Sequence, residues 1–246
     1  MKGIDVFKTY FSDFTDQYVL IGGAACAVLF QKENIAFRAT RDLDIVLIAE
    51  NLNREFGRQF WKFVREGGYQ NRSKASGASQ FYRFSKPSQT GFPSMIELFA
   101  RTDIRENSPV RLTPIHIDDD VSSLSAILLD DSYYRFVRQG SEVVDGISVL
   151  KPAWLVPLKA RAWMDLQERL QCGEHVDSRN LKKHRNDIIR ILAELVLERC
   201  ELAGEIRKDM ELFIERSEIT DQEISALKLH GVTAVDIYQL FTELYL

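Results

Sequence analysis

Asp42 and Asp44 stand one residue apart at the head of the apolar run Leu43-Asp44-Ile45-Val46-Leu47. In a β-strand, side chains i and i+2 share a face. The spacing therefore predicts two carboxylates side by side. Such a pair repels itself unless a cation sits between them. Hard oxygen donors suit Mg²⁺, with Mn²⁺ as an alternative. Upstream, the apolar run Tyr18-Val19-Leu20-Ile21 ends in Gly22-Gly23 and continues as Ala24-Ala25. A glycine turn between a buried strand and a helix lets backbone amides approach an anion. Metal-holding carboxylates beside a glycine turn point to a phosphate-bearing ligand as the third partner.

A two-metal phosphoryl-transfer site usually draws a third carboxylate from a neighbouring strand. Glu97 is the candidate, alone in the apolar stretch Met95-Ile96-Glu97-Leu98-Phe99. A buried Glu without a partner is costly. A metal shared with Asp42 and Asp44 would supply one; the alternative is an ion pair with Arg83 or Arg101. Arg38 and Thr40, just ahead of the aspartates, read either as substrate contacts or as structural groups, Thr40 capping the turn and Arg38 neutralising the carboxylates. The acidic run Asp118-Asp119-Asp120 reads as a solvated turn.

The elements that must position these residues follow from periodicity. Ile4, Phe7, Phe11 and Phe14 predict a short helix over 4–16. Strands are predicted over 18–21, 43–49, 79–85, 94–100 and 111–117, with further strands over 124–129 and 143–150. Helices are predicted over 24–33, 54–66 and around 132–138. After Lys151-Pro152, with proline suited to a helix N-terminus, the texture becomes almost wholly helical: 153–171, 180–200, 204–216, 220–229 and 233–245. Thr220 with Glu223 is a capping-box signature. The apolar stripe Tyr238, Phe241, Leu244 and Tyr245 reads as internal packing. An α/β core over 1–150 and a helical domain over 151–246 are expected.

With 246 residues and 45% hydrophobic content, the chain can bury a substantial core. Its formal charge of −4 is unevenly spread. Residues 51–90 and 151–191 are basic, and residues 192–246 are acidic. That distribution suits an anionic ligand held by the first 190 residues, or simply solvated helix faces. Cys26, Cys172 and Cys200 are odd in number and far apart, which predicts a reducing, cytoplasmic setting. Charged residues in the opening turns do not read as a signal peptide, and no apolar stretch is long enough to span a bilayer.

The order Gly22-Gly23, helix, Arg38-x-Thr40-x-Asp42-x-Asp44 on a strand, then a carboxylate on a later strand, resembles the nucleotidyltransferase superfamily, whose fold is similar to the catalytic core of DNA polymerase β. Within it the motifs most resemble the AbiEii abortive-infection toxin group. The resemblance covers roughly residues 18–195. It implies an α+β fold, a nucleotidyltransferase-like mixed sheet with flanking helices, followed by a C-terminal helical bundle that completes the nucleotide site. It further implies Gly22 and Gly23 on the triphosphate of an NTP, and Asp42, Asp44 and Glu97 as metal ligands, with Glu97 helping to deprotonate the attacking hydroxyl. Lys159 would match a Lys that family members carry early in the helical half and would contact the triphosphate, and Asp187 resembles an Asp that they carry further on, although Asp187 also reads as an i,i+4 partner of Lys183. The acceptor would be a tRNA end or a protein hydroxyl, the role that of a toxin checked by an antitoxin protein. An antibiotic-type small-molecule nucleotidyltransferase and a non-catalytic nucleotide-binding protein are the alternatives.

Overall fold

The computed structural model describes residues 3–71, 82–101, 112–115 and 124–246. The chain divides into two compact units, Met1–Leu150 and Lys151–Leu246. The first combines a mixed sheet with helices. Its first strand, β1 (Tyr18–Ile21), is buried at all four positions. It pairs antiparallel with β2 (Asp42–Leu47), which in turn runs parallel to β4 (Met95–Arg101). β3 (Arg83–Ser85) adds antiparallel to β4. Beyond β4 come β6 (Leu124–Leu129) and β5 (Leu112–Ile115); on the other side of β1 come β8 (Ile147–Leu150) and β7 (Ser141–Val144).

The two faces of this sheet differ. Tyr18 is opposite Leu47, and Leu20 opposite Ile45. Leu43 is in register with Ile96, and Ile96 with Phe84. These residues share one face, and all are buried. Helix α1 (Ile4–Phe11) and helix α3 (Arg54–Gly67) cover it with aromatic rings. Phe7 and Phe11 sit 5.3 and 6.2 Å from Tyr18 between ring centroids, and Phe60 sits 5.5 Å from Phe84. Asn53 starts α3 by accepting a hydrogen bond from the Phe56 amide at 2.9 Å. The opposite face carries Asp42, Asp44, Met95, Glu97, Phe99 and Arg101, all only half-buried. Strict burial alternation along β4 is the period of a strand with one packed and one open face.

Two local expectations are corrected. The helix foreseen over 4–16 ends at Phe11 and continues as a 3₁₀ turn, Ser12–Phe14. The single strand foreseen over 143–150 is a hairpin. Asp145 and Gly146 both take positive φ (49° and 75°), as a two-residue hairpin loop of the favoured hand requires, and Val144 pairs with Ile147.

The second unit is helical: α5 (Pro152–Gln171), α6 (Ser178–Glu194), α7 (Gly204–Arg216), α8 (Asp221–Ala226) and α9 (Ala234–Tyr245). Here α6 stops at Glu194, short of the expected 200; Leu195 is already extended (φ −110°, ψ 151°). Its core packs Trp163 edge-to-face with Phe213 at 5.3 Å and Phe213 edge-to-face with Phe241 at 6.0 Å. The stripe on α9 is therefore internal packing: Phe241, Leu244 and Tyr245 are buried. Capping boxes at Thr220 and Thr233 start α8 and α9. Pro157 lies inside α5 and brings no N–H to the carbonyl of Ala153 one turn earlier. The Tyr245 hydroxyl donates to that carbonyl at 2.9 Å, replacing the missing helical bond.

Candidate active site

Parallel pairing of β2 with β4 puts Asp44 in register with Glu97, and Asp42 with Met95. Asp42, Asp44 and Glu97 therefore lie on the same open face, drawn from two neighbouring strands. Across the other edge of β2, Asp44 is opposite Ile21, the last residue of β1. Helix α2 (Gly22–Lys32) begins immediately after Ile21, so its first residue meets the carboxylate. Gly22 has φ +65°, and a Cβ there would lie 2.2 Å from Asp44 Oδ2. Only glycine satisfies both conditions without displacing the carboxylate. A Cβ on Gly23 would lie 2.8 Å from Thr40 Oγ1 and 3.2 Å from Arg38 Nη2. The two glycines thus seat the start of α2 directly against Asp44, Thr40 and Arg38. No separate turn precedes the helix: the glycines are its first two residues, a correction to the expected start at Ala24.

The segment before β2 is held from both sides. The Ser94 amide donates to the Arg41 carbonyl at 2.8 Å. The Arg38 guanidinium lies over the Phe37 ring at 5.2 Å, and Phe37 packs on Phe30 of α2 at 4.7 Å. Arg38 and Thr40 are thereby brought to the end of the sheet where α2 begins.

Glu97 has an ion-pair partner. Arg83, opposite it in the β3–β4 register, donates from Nε to Glu97 Oε1 at 2.6 Å, and Nη2 also pairs with that oxygen. The Glu97 side chain is 15% exposed and that of Arg83 is 47% exposed. The Arg83 guanidinium also lies 6.0 Å from the Tyr82 ring centroid. Among the described residues, no group of three or more His, Cys, Asp or Glu side chains is gathered as a metal site. For a hard divalent cation the donors on this face are right in kind. Glu97 would have to exchange Arg83 for the cation to complete a set with Asp42 and Asp44.

Lys159 and Asp187 meet in the helical unit. Lys159 Nζ donates to Asp187 Oδ2 at 2.8 Å, with side chains 4% and 1% exposed. The i,i+4 alternative of Asp187 with Lys183 is thus replaced by a buried pair between α5 and α6. Sequence reasoning singled out both residues but missed their pairing. For Lys159 the available signal was a charge inside the apolar run Val156-Pro157-Leu158-Lys159-Ala160, which needs a counter-charge once buried; Asp187 follows the polar stretch Lys182–Asn186 and gave no such signal.

A second charged cluster lies past the ends of β2 and β4. Tyr134, on helix α4 (Asp131–Gln139), donates to Glu50 Oε2 at 2.6 Å and accepts from the Ala49 amide at 2.9 Å. Arg138 reaches Glu50 Oε1 at 2.9 Å and Arg101 reaches it at 3.6 Å. Burial pushes the Glu50 carboxyl up, but the Tyr134 hydrogen bond, a backbone hydrogen bond and the two arginines outweigh it, leaving the group below its ordinary range. Burial and the bond to Glu50 raise the Tyr134 hydroxyl.

Of the basic stretch 51–90, Arg58, Lys62 and Arg65 form an exposed stripe on α3. That helix covers the sheet face opposite the carboxylates. Arg72 and Lys74, like the Asp118-Asp119-Asp120 run and parts of the strands expected over 79–85 and 111–117, lie outside the described residues. No described helix is long and apolar enough to cross a membrane. No family model matches this chain, and neither does any curated protein or solved structure.

Proposed function

We propose that this chain is a metal-dependent nucleotidyltransferase with the fold of that superfamily, moving a nucleotidyl group from an NTP to a hydroxyl. The observation that supports this reading most is the β2–β4 register, which sets Asp44 beside Glu97 and both on the face of Asp42, with Gly22 closed against the Asp44 carboxylate. Separate parts of the sequence converge there, and oxygen donors beside a helix N-terminus suit a metal–triphosphate.

In the reaction, the acceptor oxygen bonds to the α-phosphorus, and the bond from that phosphorus to the bridging oxygen of the β-phosphate breaks. Pyrophosphate leaves, and the hydroxyl proton passes to Glu97. Amides at Gly22-Gly23 hold phosphate oxygens at the start of α2, and Arg38 adds positive charge beside them. Asp42, Asp44 and Glu97 would hold Mg²⁺ or Mn²⁺, which when bound neutralises charge on the phosphates and orients them for in-line displacement. The acceptor is a tRNA end or a protein hydroxyl, in a toxin-like role with a protein antitoxin.

The test is incubation with each α-labelled NTP, Mg²⁺ and total tRNA, beside an Asp42→Ala/Asp44→Ala control. Label transferred to tRNA or protein by the wild type alone is the expected result. Full activity in Asp44→Ala would refute the mechanism. A specific observation favours a second reading, a nucleotide-binding protein without catalysis: Glu97 already has a cation in Arg83. Nucleotide binding with no transfer to any acceptor, small molecules included, would select it.

A further inference from the structure

Arg83 has no part in the chemistry above, yet it is the charged group seated on the third carboxylate. It lies on β3 directly opposite Glu97 and donates to Oε1 at 2.6 Å. Its neighbour Phe84 is wholly buried and packs against Phe60 at 5.5 Å, so the strand that carries Arg83 is anchored to the sheet. The Leu98 amide donates to the Tyr82 carbonyl at 2.9 Å, extending the β3–β4 pairing to the residue before Arg83. Arg83 is therefore held in register with Glu97 by backbone pairing and by its buried neighbour. Its own side chain is 47% exposed and has solvent to move into.

We infer that Arg83 is a positioning residue that serves as the counter-ion of Glu97 and competes with the divalent cation for it. The inference rests on the nucleotidyltransferase reading of Asp42, Asp44 and Glu97. With Arg83 on Glu97, the three acids stand on one face without being gathered around a common point. A cation binding at the aspartates must recruit Glu97 from Arg83, and the guanidinium then moves away from a site that has gained positive charge. Arg83 thus lowers metal affinity and sets a threshold for completing the donor set.

The test is Mn²⁺ binding to the full chain without nucleotide, followed by electron paramagnetic resonance, for wild type, Arg83→Ala, Arg83→Gln, Arg83→Lys and Asp42→Ala/Asp44→Ala. Exposed ion pairs set the scale of the competition, so Arg83→Ala and Arg83→Gln should bind Mn²⁺ about two- to fivefold tighter than wild type. Arg83→Lys, which keeps the charge, should stay near wild type. The difference between wild type and Arg83→Ala should shrink as salt screens the pair. Unchanged or weaker Mn²⁺ binding in both neutral variants, with binding still lost in the double aspartate variant, would overturn the inference and leave the metal site standing. Binding unaffected in the double aspartate variant would overturn the site reading and the role of Arg83 with it.

Discussion

Replacing Lys159 with Met tests whether the buried pair is an anchor of the helical unit. At 2.8 Å the Lys159–Asp187 attraction is about 6 kcal/mol at an effective dielectric constant near 20. Desolvating both ions costs several kcal/mol each, so the intact pair contributes little net stability. Lys159→Met removes the attraction but leaves Asp187, 1% exposed, with its desolvation cost. The expected loss is about 3–5 kcal/mol. For a chain of this size that lowers Tm by roughly 6–20 °C. Urea unfolding followed by tryptophan fluorescence and by far-ultraviolet circular dichroism gives the free energy and shows whether the two units unfold together. Trp163, one turn beyond Lys159 and buried beside Phe213, reports on the helical unit. The double variant Lys159→Met/Asp187→Leu removes both charges and should recover most of the loss. A single variant within about 1 kcal/mol of wild type would refute the reasoning, because loss of the lysine would then cost the buried Asp187 carboxylate almost nothing. A double variant as unstable as the single one would show instead that the ion pair itself stabilises the fold.

Gly22→Ala should destabilise the first unit by about 1–3 kcal/mol and weaken Mn²⁺ binding, since the new Cβ meets Asp44 Oδ2 at 2.2 Å and φ is +65°; thermal melting and Mn²⁺ titration check both effects. The Glu50 carboxyl is held below its unfolded value, so its contribution to stability is present above about pH 4.5 and is lost as pH falls through the lower folded value. Glu50→Gln should therefore lower Tm at neutral pH, and its melting curve should converge on that of wild type as pH falls below the lowered folded value. Tyr245→Phe removes the hydroxyl that donates to the Ala153 carbonyl, which Pro157 cannot serve, and should cost about 1–3 kcal/mol by urea unfolding.

What was legible in the chain depended on how local its cause was. The two-residue spacing of Asp42 and Asp44 placed them on one face, because the strand period follows from backbone geometry alone. Thr220 and Glu223 formed their capping box for the same reason: donor and acceptor lie within one turn. The Asp145-Gly146 hairpin was equally local, and its dipeptide signal was overlooked inside an apolar run. Partners across the fold were of another kind. Glu97 had two arginines within reach of its sequence neighbourhood, and only the antiparallel register of β3 on β4 selects Arg83 over Arg101. Register itself depends on which face buries Phe84, a matter of the aromatic layer from α1 and α3 rather than of Arg83 or Glu97. Lys159 and Asp187 are 28 positions apart on different helices, and their pairing follows from how α5 packs on α6. The sharpest case is Gly22. A glycine pair before a helix suggests a phosphate loop in sequence. In the fold, the first glycine is demanded by the Asp44 carboxylate pressed against it. That contact ties the glycine motif to the aspartate motif physically. Any function that uses Asp44 therefore also depends on the backbone at Gly22, whether or not a phosphate ever touches those amides.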